Sequence, residues 1–207
     1  MGPGLRERRR RETTAVIRHA TLDLVEARGW DATTIADIAQ RSGISSRTFF
    51  RYFDSKEQAV LPGQRRLWEA LNGFSPTSTN RSEVAQELAA LLRITVIDDP
   101  DDRESLDLHS RIARLLQSSP QVHAAAAVQE AAYAQQLHER LMTLMPEETA
   151  LDLRAVVETT MAMWRTAWWH WGTQLNAEAP SGPEDSFDAA LAALSENPIS
   201  SYRLSGD

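Results

Sequence analysis

The 207-residue chain has no cysteine, so a disulfide framework, a thiolate metal site and a thiol nucleophile are all excluded. That composition suits a reducing compartment, and a cytoplasmic location is expected. No apolar run approaches the roughly 18 residues of a membrane-spanning helix, and the basic start lacks the apolar stretch of a signal peptide, so no membrane partner is expected. The five histidines are scattered, and H-E-x-x-H, G-x-S-x-G and a Gly-rich phosphate loop are all missing. No enzyme activity, cofactor or metal is expected. Four aspartates cluster around Pro100, but this break between helical segments lacks the spacing of a calcium loop, and N-capping and solvation account for it.

What is present is a 42% hydrophobic chain, enough for one large core or two small ones. The net charge of -7 is unevenly spread: residues 1–66 hold 13 Lys and Arg against 8 Asp and Glu, a balance of +5, and the remainder holds 9 against 21, a balance of -12. A basic N-terminal part on an acidic body is what phosphate binding by one end requires, because Lys and Arg supply the sequence-independent part of the affinity.

The basic part is organised around residues 33–56, TTIADIAQRSGISSRTFFRYFDSK. Thr34 is placed to N-cap a short helix with Ile35, Ile38 and Ala39 at helical spacing. Gly43 follows, where a left-handed helix end favours a residue without a Cβ. Ser45 or Ser46 opens a second short helix with Phe49 and Phe53 inward. Ser46, Arg47, Thr48, Arg51 and Tyr52 then face largely outward, a set that donates to phosphates and to base edges in a major groove. The pattern is a helix-turn-helix with 46–52 as recognition helix. Upstream, Arg6, Arg8, Arg9, Arg10 and Arg11 cannot bury themselves and read as a free arm for phosphates or a narrow minor groove. The first helix is expected at 13–28, with Ile17, Ala20, Leu24 and Ala27 as its core face, Gly29 as its end and Trp30 plugging the core of the first three helices.

These residues resemble a known family. Ile17, Ala20, Leu24, Gly29, Trp30, Thr33, Thr34, Ile38, Ala39, Gly43, Ile44, Ser45, Phe50, Phe53, Lys56 and Glu57 form a long motif similar to the DNA-binding domain of TetR-family transcriptional regulators, over about the first quarter of the chain. The segment RIARLLQSSP at 111–120 is also similar to a TetR subgroup related to the mycofactocin-cluster regulator. The resemblance implies an all-helical homodimer whose N-terminal domain reads DNA and whose C-terminal domain binds a small ligand and dimerises. It implies phosphate contacts from Lys56 and the recognition-helix aromatics. The family's frequent tyrosine is Phe50 here, so that role passes to Tyr52 and Phe50 is assigned to packing. The DNA-binding set is therefore Arg9, Arg10, Thr33, Thr34, Ser45, Ser46, Arg47, Thr48, Arg51, Tyr52 and Lys56.

The acidic body reads as further helices. A fourth, capped by Asp54 or Ser55, is interrupted at Pro62-Gly63, and Ser119-Pro120 opens a long one. From near Pro146, Leu153, Val157, Met161, Trp164, Trp168, Trp171 and Leu175 make one apolar seam, expected to face the chain's own body. Val156, Thr160, Met163, Ala167, His170 and Gln174 make a second. The resemblance implies a four-helix dimer interface, assigned to Thr160, Met163, Ala167 and His170 with Phe187, Leu191 and Leu194 of the last helix. An apolar pocket with a few polar groups is assigned to Trp68, Leu92, His109, Ile112, Tyr133, Met161, Trp164 and Trp168, although ordinary core packing is the competing reading for each.

The expectation is thus an all-α protein of about nine helices. It comprises an N-terminal arm and three-helix DNA-binding domain at 1–56, a helical ligand-binding and dimerisation domain at 57–198, and a loose tail at 199–207. The expected function is a transcriptional repressor released from a palindromic operator by a small hydrophobic or aromatic effector. The alternative is a helical small-molecule-binding dimer whose basic head contacts a membrane surface or an acidic partner.

Overall fold

The computed structural model describes residues 4–61, 64–96, 103–176 and 182–196. The expected Pro62-Gly63 break, the acidic turn around Pro100, the Pro180 end of the last loop and the tail from residue 199 lie outside them. Among the described residues there are ten helices and no strand: α1 (Leu5–Arg28), α2 (Ile35–Arg41), α3 (Ser46–Phe49), α4 (Lys56–Val60), α5 (Gln64–Gly73), α6 (Arg81–Val96), α7 (Arg103–Ser118), α8 (Pro120–Leu144), α9 (Ala150–Gln174) and α10 (Pro183–Ser195).

Local chemistry sets the short helices. Thr34 and Asp37 form a reciprocal capping box at α2, and Ser45 and Ser55 cap α3 and α4 by accepting from Thr48 N and Gln58 N. Gly29 and Gly43 alone carry positive φ among the described residues, 85° and 67°, at the ends of α1 and α2. The first helix begins eight residues earlier than expected, at Leu5. The arginine-rich segment is therefore its first turns and not a free arm, and an exposed Arg8–Glu12 pair at 3.8 Å lies one turn apart there.

The described residues fall into two compact units, one drawn from 1–62 and 107–126, the other from 63–106 and 127–207. In the first, Ile17 packs with Ile38, Phe49 and Ala59, with Leu24, Ile35, Ile44 and Phe53 around them. Leu22 and Val25, on another face of α1, pack with Val60, Ile112, Leu115 and Val122. Trp30 joins this second cluster, not the helix-turn-helix core expected of it. Arg111 clamps the arrangement. Its Nε and Nη2 donate to Glu26 at 2.7 and 2.9 Å, and Nη2 also reaches Asp23 at 2.7 Å. These carboxylates hold the guanidinium above its ordinary range. Bidentate, partly desolvated pairs of this kind are the ones that fix geometry.

In the second unit Leu67, Leu88, Leu92, Leu137, Leu141, Leu153, Val157, Met161 and Phe187 are among the buried core. Trp164, Trp168 and Trp171 follow one another edge-to-face at 5.7 and 5.3 Å. Both seams of α9 are used within this unit. Thr160, Met163 and Ala167 are as buried as the first seam, and α10 packs along α9.

Candidate nucleic-acid interface and apolar groove

The helix-turn-helix is held from below and open above. Phe49 is fully buried and tilted against Phe53 at 5.7 Å, which anchors α3. Ser45 Oγ lies 3.0 Å from Thr48 Oγ1 and accepts from its amide, so both hydroxyls first serve the cap. Ser46, Arg47 and Arg51 are exposed, and Arg47 has no ion pair among the described residues. Phe50 was assigned to packing but is 53% exposed, edge-on to Phe49 and beside the donors. Its ring stands where it can meet a thymine methyl or a sugar.

Tyr52 sits half-buried at the end of this face, with the Arg10 guanidinium 5.7 Å and the Arg51 guanidinium 5.2 Å from its ring centroid. The Thr13 hydroxyl and then Arg51 hold its phenol below the usual range. The ring thus gathers an arginine from α1 and one from the recognition turn onto one surface. Arg9 is exposed on the same first turns of α1.

Two expected DNA contacts turn inward. Thr33 is only 1% exposed, and its hydroxyl donates to Gly29 O at 2.9 Å, closing the turn after α1. The Lys56 ammonium donates to Trp30 O at 2.7 Å and to Thr33 O at 2.9 Å, and lies 4.3 Å from the Trp30 ring centroid. Its position at the start of α4 places it over the same turn, so most of its donor capacity binds the head to itself. Thr34 remains exposed, but its hydroxyl is part of the α2 cap.

Of the ligand candidates, Leu92, Tyr133, Met161, Trp164 and Trp168 meet as packing in one core cluster. Ile112 and His109 belong to the first unit, where Ile112 packs with Leu22 and Val25. Leu92, Met161 and Trp164 are core, and Trp168 packs half-buried against it. Tyr133 accepts from Gln129 Nε2 at 2.7 Å, and Trp68 Nε1 donates to Gln136 at 3.0 Å. Instead, a cavity of about 600 Å³ opens between α6, α9 and α10, and none of those eight residues lines it. Thr160, Met163, Phe187, Leu191 and Leu194, assigned to a partner interface, line this groove of their own chain. Phe187 is wholly buried and offers nothing to a partner. His170 is half-buried, and Ala167 is buried.

Glu130 was not anticipated. It is half-buried, with its buried Oε2 3.6 Å from Arg165 Nη1, too far for a hydrogen bond, and desolvation pushes its carboxyl up to about 7 against the pull of that guanidinium. A glutamate among alanines at 124–132 was the available signal.

Comparison with known proteins agrees with the architecture. Residues 17–61 match the family model for bacterial regulatory proteins of the tetR family. Across 99% of this chain and 92% of the relative, 26% of residues are identical to the HTH-type transcriptional regulator TcmR of Streptomyces glaucescens. Over 56% of this chain and 58% of the relative, 28% are identical to MftR of Mycobacterium tuberculosis, described as a mycofactocin biosynthesis transcriptional regulator. A solved TetR-family regulator from Rhodococcus sp. has a similar fold, with a TM-score of 0.50 and 16% identity over 89% of this chain and 97% of that one. No described helix is long and apolar enough to cross a membrane. A capped helix-turn-helix with an exposed arginine face, matched by the family model over residues 17–61, gives this chain a TetR-family DNA-binding domain, and along its length the chain is similar to TetR-family transcriptional regulators.

Proposed function

We propose that the protein is a homodimeric repressor that occupies a palindromic operator and is released by a small, mainly apolar effector. The observation that carries the DNA half is the shared surface at Tyr52. Arg10 and Arg51 converge on one ring beside the exposed Ser46 and Arg47, so phosphate-binding and base-reading donors stand together. Repression is the simpler regulatory outcome, since blocking a promoter requires only occupancy. Release requires that the effector bind the state unable to engage DNA more tightly than the competent one, because equal affinity shifts nothing.

The outward stripe of α9 supports self-association. Leu151, Ala162, Thr166, Trp169 and Thr173 lie on one face of α9, interrupted by the single charge of Glu158, and Leu151 and Trp169 are 79% and 62% exposed. A two-fold axis would set such a stripe against its copy. Selection of bound duplexes from a random pool at stated salt tests the proposal. A palindrome with half-sites about 34–36 Å apart is expected. Binding without sequence enrichment would refute it.

A further inference from the structure

We propose that the groove between α6, α9 and α10 is the effector site, and that it takes a neutral, elongated, largely apolar molecule with an oxygen acceptor at one end. This rests on the reading of the protein as a ligand-responsive regulator and adds the site and the ligand class. The gap exists because short side chains face each other across it: Ala85, Ala89 and Ala90 on α6 and Ala155 on α9. Its floor is the buried Thr160, Met163 and Phe187, and the Thr160 hydroxyl already donates to Val156 O at 2.8 Å. About 600 Å³ of space falls within the range of small-molecule pockets, which is roughly 300–1,000 Å³.

Two ion pairs pin the ends. Arg81 of α6 meets Asp152 of α9, and Arg93 of α6 forks onto Asp188 of α10 at 2.8 and 2.9 Å. The arginines lie twelve residues apart on one helix, which sets a length of about 18 Å. Arg93 is neutralised by its fork onto Asp188 and Arg81 is paired with Asp152, so neither arginine of the groove carries an unbalanced charge for an anion. That selects a neutral ligand. Arg81 uses Nη1 alone among the described residues, so its other N–H groups are left to donate to a ligand oxygen at that end.

The test uses Nile red, a neutral, flat, apolar fluorophore with a carbonyl acceptor. Wild type, Ala90→Trp, Ala155→Trp and Ala132→Trp are titrated with it, and duplex binding of all four is measured without probe. Positions 90, 155 and 132 are exposed on helices, so each variant is expected to fold, which far-ultraviolet dichroism checks; position 132 lies outside the groove. Blue-shifted, saturable binding by wild type and Ala132→Trp, weakened at least tenfold in both groove variants, is the expected result. Equal binding by the groove variants, or no saturable binding by wild type, overturns the site. Duplex binding that persists in that case leaves the DNA reading intact, whereas its absence from wild type refutes the regulator reading itself.

Discussion

Lys56 provides the sharpest test of how the head is built. Replacing it with Met keeps the aliphatic stem and removes the ammonium. Two charge-assisted hydrogen bonds, to Trp30 O and Thr33 O, and one cation–π contact are lost together. Hydrogen bonds to a charged group contribute about 1.5–3 kcal/mol each, and a cation–π contact about 0.5–1 kcal/mol at an exposed site. Lys56 is half-buried, and Trp30 O still accepts from Thr33 N at 3.2 Å, so the sum is discounted. A net loss of roughly 2–3 kcal/mol follows, or about 4–12 °C in melting temperature for a chain of this size. The assay pairs a thermal melt with duplex titrations over a range of salt. Lys56→Met is expected to melt early yet keep the wild-type salt slope. Arg47→Ala is expected to melt normally and to lose either base preference or about 0.9 of slope per phosphate contact. A Lys56→Met protein that melts like wild type with its slope reduced by about one would refute the inward assignment and restore the lysine to the phosphate backbone.

Three further outcomes concern the second unit. Glu130 has its carboxyl pushed up to about 7, so the folded state holds a proton that the unfolded chain releases near 4.5. Its contribution is full below that lower value and is lost as pH rises through about 7, by at most about 3 kcal/mol, and Glu130→Gln is expected to flatten the fall in denaturant midpoint between pH 5 and 7.5. An unchanged pH profile in that variant would place the cause elsewhere. Trp169→Glu puts a charge on the outward α9 stripe without touching the core, and sedimentation is expected to show folded monomer, whereas Phe187→Ala removes a buried ring and is expected to cost roughly 3–5 kcal/mol in stability. A Trp169→Glu dimer as tight as wild type would reject the stripe as interface.

The reading head was legible because its determinants are local. The caps at Thr34 and Ser45, the left-handed Gly43 and the Phe49–Phe53 anchor all act within a few residues of one another, so spacing alone reveals them. The direction of a polar side chain is not local. Thr33 and Lys56 have the chemistry of DNA contacts, and only the turn that brings Lys56 over the Trp30 and Thr33 carbonyls aims them inward. Phe50 has the chemistry of core, yet Phe49 already fills the inward position beside it.

The same limit governs the body. Periodicity established that α9 carries two apolar seams, but a repeat says that a face is covered and not by what. α10 returns along the second seam, and Ala85, Ala89 and Ala90 of α6 stand opposite, so residues suited to a partner line a groove of their own chain. Ile112 has the pattern of a pocket residue, but Arg111 beside it binds Asp23 and Glu26, more than eighty residues away, and draws 107–126 into the first unit. The sequence by itself determined the helices, their caps, the turn and the polarised charge, because these depend on neighbours along the chain. The tertiary structure alone decided which faces meet, which donors remain free and where the cavity lies, because those depend on residues brought together only by folding.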